Sequence, residues 1–87
     1  MSEKQKLLIV DDSELNRDIL KEILGSSYDY LEAENGTQAI QILEVHPEID
    51  LMLLDINMPQ MNGFQVLEHM REFQWIDEVP VVMISSE

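Results

Sequence analysis

Asp55 closes the apolar run Leu51 to Leu54 and opens the turn Ile56-Asn57-Met58-Pro59, while Asp11 and Asp12 stand in the same relation to the run Leu7 to Val10. The sequence thus delivers negative charge twice to the carboxyl end of a buried strand. Carboxylates brought together in this way repel and raise each other's pKa unless a cation neutralises them. Mg²⁺ suits such a set, because it is hard, takes oxygen ligands and is commonly held by one or two carboxylates with water and phosphate oxygens. A carboxylate beside such an ion can attack phosphorus while the metal neutralises charge on the transferring group. Of the three acids Asp55 is best placed for that attack, since its turn can open toward a ligand. Taken alone, Asp11-Asp12 before a helix would be a solvated turn with favourable charge at the helix dipole. Its register with Asp55 argues for a shared site.

The elements that must position these acids follow from periodicity. Leu7 to Val10 is wholly apolar, and Ser13 is an N-cap for a helix carrying Leu15, Ile19, Leu20, Ile23 and Leu24 on one face, which Gly25 stops. Tyr28 to Ala33 mixes polar and apolar residues, as an edge strand does. Asn35-Gly36 is a hairpin signal in other contexts, but Ala39, Ile40 and Leu43 recur at helical spacing after it, so it is read as a strand-to-helix turn. Pro47 breaks the chain before Leu51 to Leu54. Asn62 caps a third helix with Phe64, Leu67 and Met70 on its buried side, its end anchored by Trp75, and Pro80 precedes the run Val81 to Ile84. The order β-α-β-α-β-α-β, with helices long enough to cross over, predicts a parallel sheet of the doubly wound α/β kind. Ligands of such sheets bind beyond the carboxyl ends of the strands, where strand order reverses. Asp11, Asp12, Asp55 and Ser85 all occupy those ends.

Composition removes other classes. The 87 residues allow one domain, and a formal charge of −13 from 18 acids against 5 bases opposes a phosphate backbone, so nucleic acid is excluded as a direct partner. No cysteine is present, which rules out disulfides and thiolate metal sites. The first residues lack the apolar stretch of a signal peptide, and no segment approaches membrane-spanning length, so a cytoplasmic location and no membrane are expected. His46 and His69 have no second ligand at useful spacing and read as surface residues. The methionines read as core filler, Met58 of the turn excepted.

The apolar strand with Asp11-Asp12-Ser13, the strand with Asp55-Ile56-Asn57-Met58-Pro59 leading to Met61-Asn62-Gly63-Phe64, and Pro80-Val81-Val82-Met83-Ile84-Ser85-Ser86 together closely resemble the receiver domain of bacterial two-component response regulators, of the chemotaxis-regulator type. The resemblance runs from Leu7 to the end in the family's order and spacing. It implies a flavodoxin-like receiver fold and phosphorelay signal transduction, in which Asp55 accepts a phosphoryl group from a sensor histidine kinase or histidine phosphotransfer domain. It also implies Mg²⁺ bound by Asp12, Asp55 and the backbone carbonyl of Asn57, with Asp11 acting through water. Ser85 corresponds to the hydroxyl that reorients toward the phosphoryl group, and Ser86 to the small residue beside it.

Asn62 and Gln65 replace a more usual Asp and Glu, changes a helix cap tolerates. Residues 1–87 are expected to be the N-terminal portion of a receiver domain, lacking the family's fourth helix, its lysine-bearing fifth strand and its fifth helix unless another chain supplies them. A terminal strand so apolar asks for cover, by homo-oligomerisation or domain exchange. The alternative function is therefore an incomplete fragment that acts only in interaction, without efficient phosphorylation. A Mg²⁺-dependent phosphohydrolase would resemble Asp-x-Asp and has Asn57 at the second position here. A flavin module would need a phosphate loop of backbone donors where this chain has Asp11-Asp12. The receiver is expected to be a phosphoacceptor regulator, not an enzyme, beyond assisting its own phosphotransfer and dephosphorylation.

Overall fold

The structure, a computed structural model, describes residues 4–56, 63–72 and 79–84. Its elements are β1 (Gln5–Val10), α1 (Glu14–Leu24), β2 (Tyr28–Ala33), α2 (Gly36–Val45), β3 (Leu51–Asp55), α3 (Gly63–Glu72) and β4 (Val81–Ile84). All four strands run parallel in one sheet of order β2-β1-β3-β4. The chain steps outward from β1 to β2, returns past β1 to β3 and continues to β4, so the winding reverses between β1 and β3. That is the doubly wound, flavodoxin-like arrangement expected, and its ligand crevice falls at the carboxyl ends of β1 and β3.

The strand sequences follow from position in the sheet. β1 lies between two neighbours with both faces covered, and Leu7, Leu8, Ile9 and Val10 are all buried. Leu8 and Val10 join Met52 and Leu54 of β3, Ala39, Ile40 and Leu43 of α2 and Val66 and Met70 of α3 in the main core. Fully burying side chains of this size contributes about 1.5 to 3 kcal/mol each. Leu7 and Ile9 alternate with Leu8 and Val10 and so face the other way. β2, at the edge, is mixed because its two faces differ. Leu31 and Ala33 pair with Leu8 and Val10 on the core side, whereas Tyr30 and Glu32 pair with Leu7 and Ile9. The Tyr30 hydroxyl donates to the Gly25 carbonyl and Glu32 pairs with Arg17, which places α1 over that second face.

Local signals set the helix ends. Ser13 is extended (φ −98°, ψ 116°) and accepts the Asn16 N–H at 3.3 Å, and α1 ends at Gly25, whose φ of 89° suits glycine. Asn35 caps α2 by accepting the Gln38 N–H at 2.8 Å, so Asn35-Gly36 is the strand-to-helix turn and not a hairpin.

Two expectations about packing need correction. No residue of α1 is fully buried: Leu20 and Leu24 are half-buried, while Leu15, Ile19 and Ile23 face solvent at 68%, 45% and 74% exposure. They recur every fourth residue along one stripe of the helix, and among the described residues nothing covers it. In α3 the buried positions are Val66 and Met70, one turn apart, whereas Phe64 in the first turn is 61% exposed. β4, the apolar strand expected to ask for cover, is an edge strand, half-covered, with Val82 exposed on the α1 side of the sheet. Asn62 and Trp75 lie outside the described residues.

At the amino end of the sheet, polar contacts tie β1 to the segment entering β3. The Lys6 N–H donates to Asp50 Oδ2 at 2.8 Å, and Lys6 Nζ pairs with Glu48 Oε2 at 3.0 Å. That same oxygen lies 2.8 Å from His46 Nδ1. His46 and His69 are each half-exposed, and His46 is engaged by Glu48. Hydrogen bonding from His46, with help from the Glu48 backbone and Lys6, holds the Glu48 carboxyl down from its ordinary 4.5 to about 2. A depressed carboxylate stabilises the fold above its unfolded pKa and loses that contribution as pH falls toward its native one. Solvent screens this half-exposed group, so the effect is small. The urea midpoint of wild type should exceed that of Glu48→Gln near pH 6, and the gap should close between pH 4.5 and about 2. A gap that stays constant across that range would remove the assigned pairing.

Candidate functional site

The β1–β3 ladder sets the site. Leu7 pairs with Leu51 and Ile9 with Leu53, in parallel register. Two residues further along each strand come Asp11 and Asp55, on the same face by the two-residue period. Asp11, Asp12 and Asp55 each offer a carboxylate oxygen, and the three lie within 4.8 Å of one another. Among the described residues this is the one group of three or more metal-capable side chains. The acids inferred from the sequence therefore converge, at the switch point of the sheet. Asn57, Met58, Pro59, Ser85 and Ser86 lie outside the described residues.

The three acids are not equivalent. Asp55 is fully buried and Asp11 is 1% exposed, whereas Asp12 faces solvent. The sequence placed all three at a strand end but gave no sign of this split, which follows from Asp12 having the opposite side-chain parity to Asp11. Asp11 Oδ1 accepts the Ser13 N–H at 2.9 Å, and the Asp11 N–H donates to Ala33 O at 3.0 Å. Burial raises the Asp11 carboxyl above its ordinary 3.8, the charges of Asp55 and Asp12 add to that, and the Ser13 N–H opposes it. Two ionised carboxylates whose oxygens lie no more than 4.8 Å apart repel by at least roughly 3 kcal/mol at an effective dielectric near 20.

Periodicity did not reveal one further participant. Arg17, one turn into α1, donates from Nη1 to the Asp11 carbonyl at 2.6 Å and from Nε to Glu32 Oε1 at 2.9 Å. Glu32 Oε2 in turn accepts from Lys21 Nζ at 2.8 Å, and both bases hold the Glu32 carboxyl below its ordinary range, Lys21 the more strongly. The signal in the sequence was an arginine, one of the two bases of α1, six residues after Asp11.

As a donor set, three converging carboxylates offer hard oxygens at close to the spacing one small divalent cation requires. This matches Mg²⁺ or a similar ion and suits neither a soft metal nor an unassisted anion.

Comparison with known proteins agrees with this geometry. The sequence model of the response regulator receiver domain matches residues 7–87. The chemotaxis protein CheY1 of Helicobacter pylori is 38% identical over 84 residues, covering 94% of this chain and 68% of that protein. The two-component response regulator ORR3 of Oryza sativa is 34% identical over 82 residues, covering 93% of this chain and 63% of that one. The chain thus spans about two thirds of the length of these relatives. Among solved structures, the response regulator receiver protein from Pseudomonas putida superposes with a TM-score of 0.87 over 98% of this chain and 70% of that one, at 24% identity, a likeness of fold. The CheX-CheY-BeF3-Mg²⁺ complex from Borrelia burgdorferi is similar at 35% identity and TM-score 0.84, covering 95% of this chain and 63% of that one.

The raised Asp11 pKa has a stability consequence. A carboxyl whose native pKa exceeds its unfolded value favours the fold below the unfolded pKa, and that contribution is lost as pH rises through the native one. At neutral pH without divalent cation, Asp11→Asn should therefore raise the melting temperature by a few degrees, at about 4 to 8 °C per kcal/mol for a domain of this size. The amide oxygen can still accept the Ser13 N–H, so that bond is kept. A melting temperature below wild type would show that the Asp11 charge is not a destabilising group.

Proposed function

Because the chain belongs to the response regulator receiver domain family, we propose that it relays signals by accepting a phosphoryl group on Asp55 in a Mg²⁺-dependent reaction. The observation that carries this reading is the convergence of Asp11, Asp12 and Asp55 within 4.8 Å at the switch point of the sheet. The complex of the Borrelia burgdorferi relative with BeF3 and Mg²⁺ supports the choice of ion.

Each residue has a distinct part. The Asp55 carboxylate attacks phosphorus, forming an acyl phosphate as the P–N bond of a donor phosphohistidine breaks, its electron pair staying on nitrogen so that a ring already protonated on its other nitrogen leaves as neutral imidazole. Burial of Asp55 at the strand end fixes the attacking oxygen and keeps bulk water from it. Asp12 and Asp55 would hold Mg²⁺ with the backbone carbonyl of Asn57, and Asp11 would act through water. The ion, when bound, neutralises charge on the phosphoryl oxygens. Ser85 would donate its hydroxyl to the phosphoryl group and report its arrival. Asn57 and Ser85 take these parts by resemblance to the family.

Receiver domains act with kinases or phosphotransfer proteins, so the partner proposed is a sensor histidine kinase or histidine phosphotransfer domain in the cytoplasm. No described helix is long and apolar enough to cross a membrane. The chain is a regulatory phosphoacceptor, and its assistance to its own phosphorylation and dephosphorylation belongs to the proposal. Residues 1–87 are proposed as the N-terminal portion of such a domain, in keeping with a chain that spans about two thirds of the length of these relatives.

Incubation with acetyl phosphate and Mg²⁺ should add one phosphoryl group, seen as an 80 Da gain in intact mass. The label should fall to background in Asp55→Ala and on chelation with EDTA. Label that persists in Asp55→Ala would move the acceptor elsewhere. An unlabelled wild-type chain that assembles with rising concentration would favour the interaction-only fragment.

A further inference from the structure

Arg17 does something unusual for a cation beside an acidic cluster. Its guanidinium contacts the first acid through the main chain, donating Nη1 to the Asp11 carbonyl at 2.6 Å, while the Asp11 carboxylate is held by the Ser13 N–H. Nε is turned to Glu32 on the edge strand at 2.9 Å, and Lys21 and Arg17 share that carboxylate. With a side chain only 12% exposed, Arg17 is held at both ends of its planar fork. The peptide that carries Asp11 into Asp12 is therefore fixed on three sides. Ala33 O receives the Asp11 N–H, Arg17 grips the Asp11 carbonyl, and Ser13 N–H holds the Asp11 side chain.

We infer that Arg17 is a positioning residue for the acidic site, setting the direction of the Asp11-Asp12 peptide by tying its carbonyl to Glu32 of β2, and thereby the fit of the site to Mg²⁺. The inference rests on the metal-dependent reading above and extends it to a residue that touches neither ion nor phosphoryl group. A carboxylate on a free-swinging loop would have to be ordered on binding, which costs conformational entropy. One already fixed by its backbone does not.

Charge and position predict opposite signs, which makes the inference testable. Deleting a positive charge near three carboxylates should, by Coulomb attraction alone, tighten Mg²⁺ binding. Loss of positioning should weaken it. We therefore expect Arg17→Ala to weaken Mg²⁺ binding about fivefold to tenfold, measured calorimetrically with MgCl₂ alone and checked by the Mg²⁺-induced shift in melting temperature. Lys6→Ala is the control. It removes the same unit of charge and one ion pair at the other end of the sheet, and should leave the Mg²⁺ constant within twofold. Arg17→Lys, which keeps the charge but loses the planar fork that reaches the carbonyl and Glu32 from two nitrogens, should fall between wild type and Arg17→Ala, and it carries the test should Arg17→Ala fail to fold. Unchanged or tighter binding in both Arg17 variants, with wild type binding normally, overturns the inference and leaves the metal site standing. Equal weakening in Lys6→Ala overturns it too, by showing a general effect of stability. Failure of wild type to bind Mg²⁺ removes the metal-dependent reading and this inference with it.

Discussion

The parallel pairing of β1 with β3 fixes both what is buried and what can react. Leu7 to Val10 lie opposite Leu51 to Leu54, one residue for one residue. The side-chain period of a strand is two, so a slip of one residue would turn Leu8, Val10, Met52 and Leu54 out of the core. The same slip would separate Asp11 from Asp55. The burial that stabilises the fold is therefore also what sets the height of the acids, and the site needs no separate device to establish its register.

That economy leaves a charge problem at the end of the ladder. Asp11 and Asp55 continue two buried rows, and with Asp12 they gather three carboxylates where solvent cannot fully screen them. The chain answers with oriented donors: the Ser13 N–H at the start of α1 on one Asp11 oxygen, and Arg17 on the Asp11 carbonyl. Both come from α1, whose attachment to the sheet runs through Glu32 and Tyr30 of β2. The edge strand, the least apolar of the four, is thus what brings the first helix into position.

Much of this was legible in the sequence, for reasons that differ by element. Continuous apolar runs ending in Asp marked β1 and β3, and Ser13, Gly25 and Asn35 marked helix boundaries, because caps and left-handed turns depend on the local residue alone. Burial was read less well. Leu15, Ile19 and Ile23 form an apolar stripe, but periodicity identifies a face without identifying what covers it. Phe64 was assigned inward by type, whereas Val66 and Met70 hold the buried turn of α3. Arg17 escaped notice because its contacts are to a main-chain carbonyl and to a residue 15 positions away, neither of which spacing within α1 encodes.

The distribution of the few bases gives the last step. Of the five lysines and arginines, Lys6, Arg17 and Lys21 pair with Glu48, Glu32 and Asp18. With 18 acids to choose from, a salt bridge from Arg17 to the Asp11 carboxylate would have been the simplest way to relieve repulsion. It would also have occupied the oxygens that a cation needs. Binding the carbonyl instead leaves those oxygens to the site and spends the guanidinium charge on Glu32, outside it. A protein built only for stability would neutralise its buried acids internally. This one orients its acids through the Ser13 N–H and the Arg17 contact to the main chain, so that a cation bound by the three carboxylates would relieve the repulsion among them.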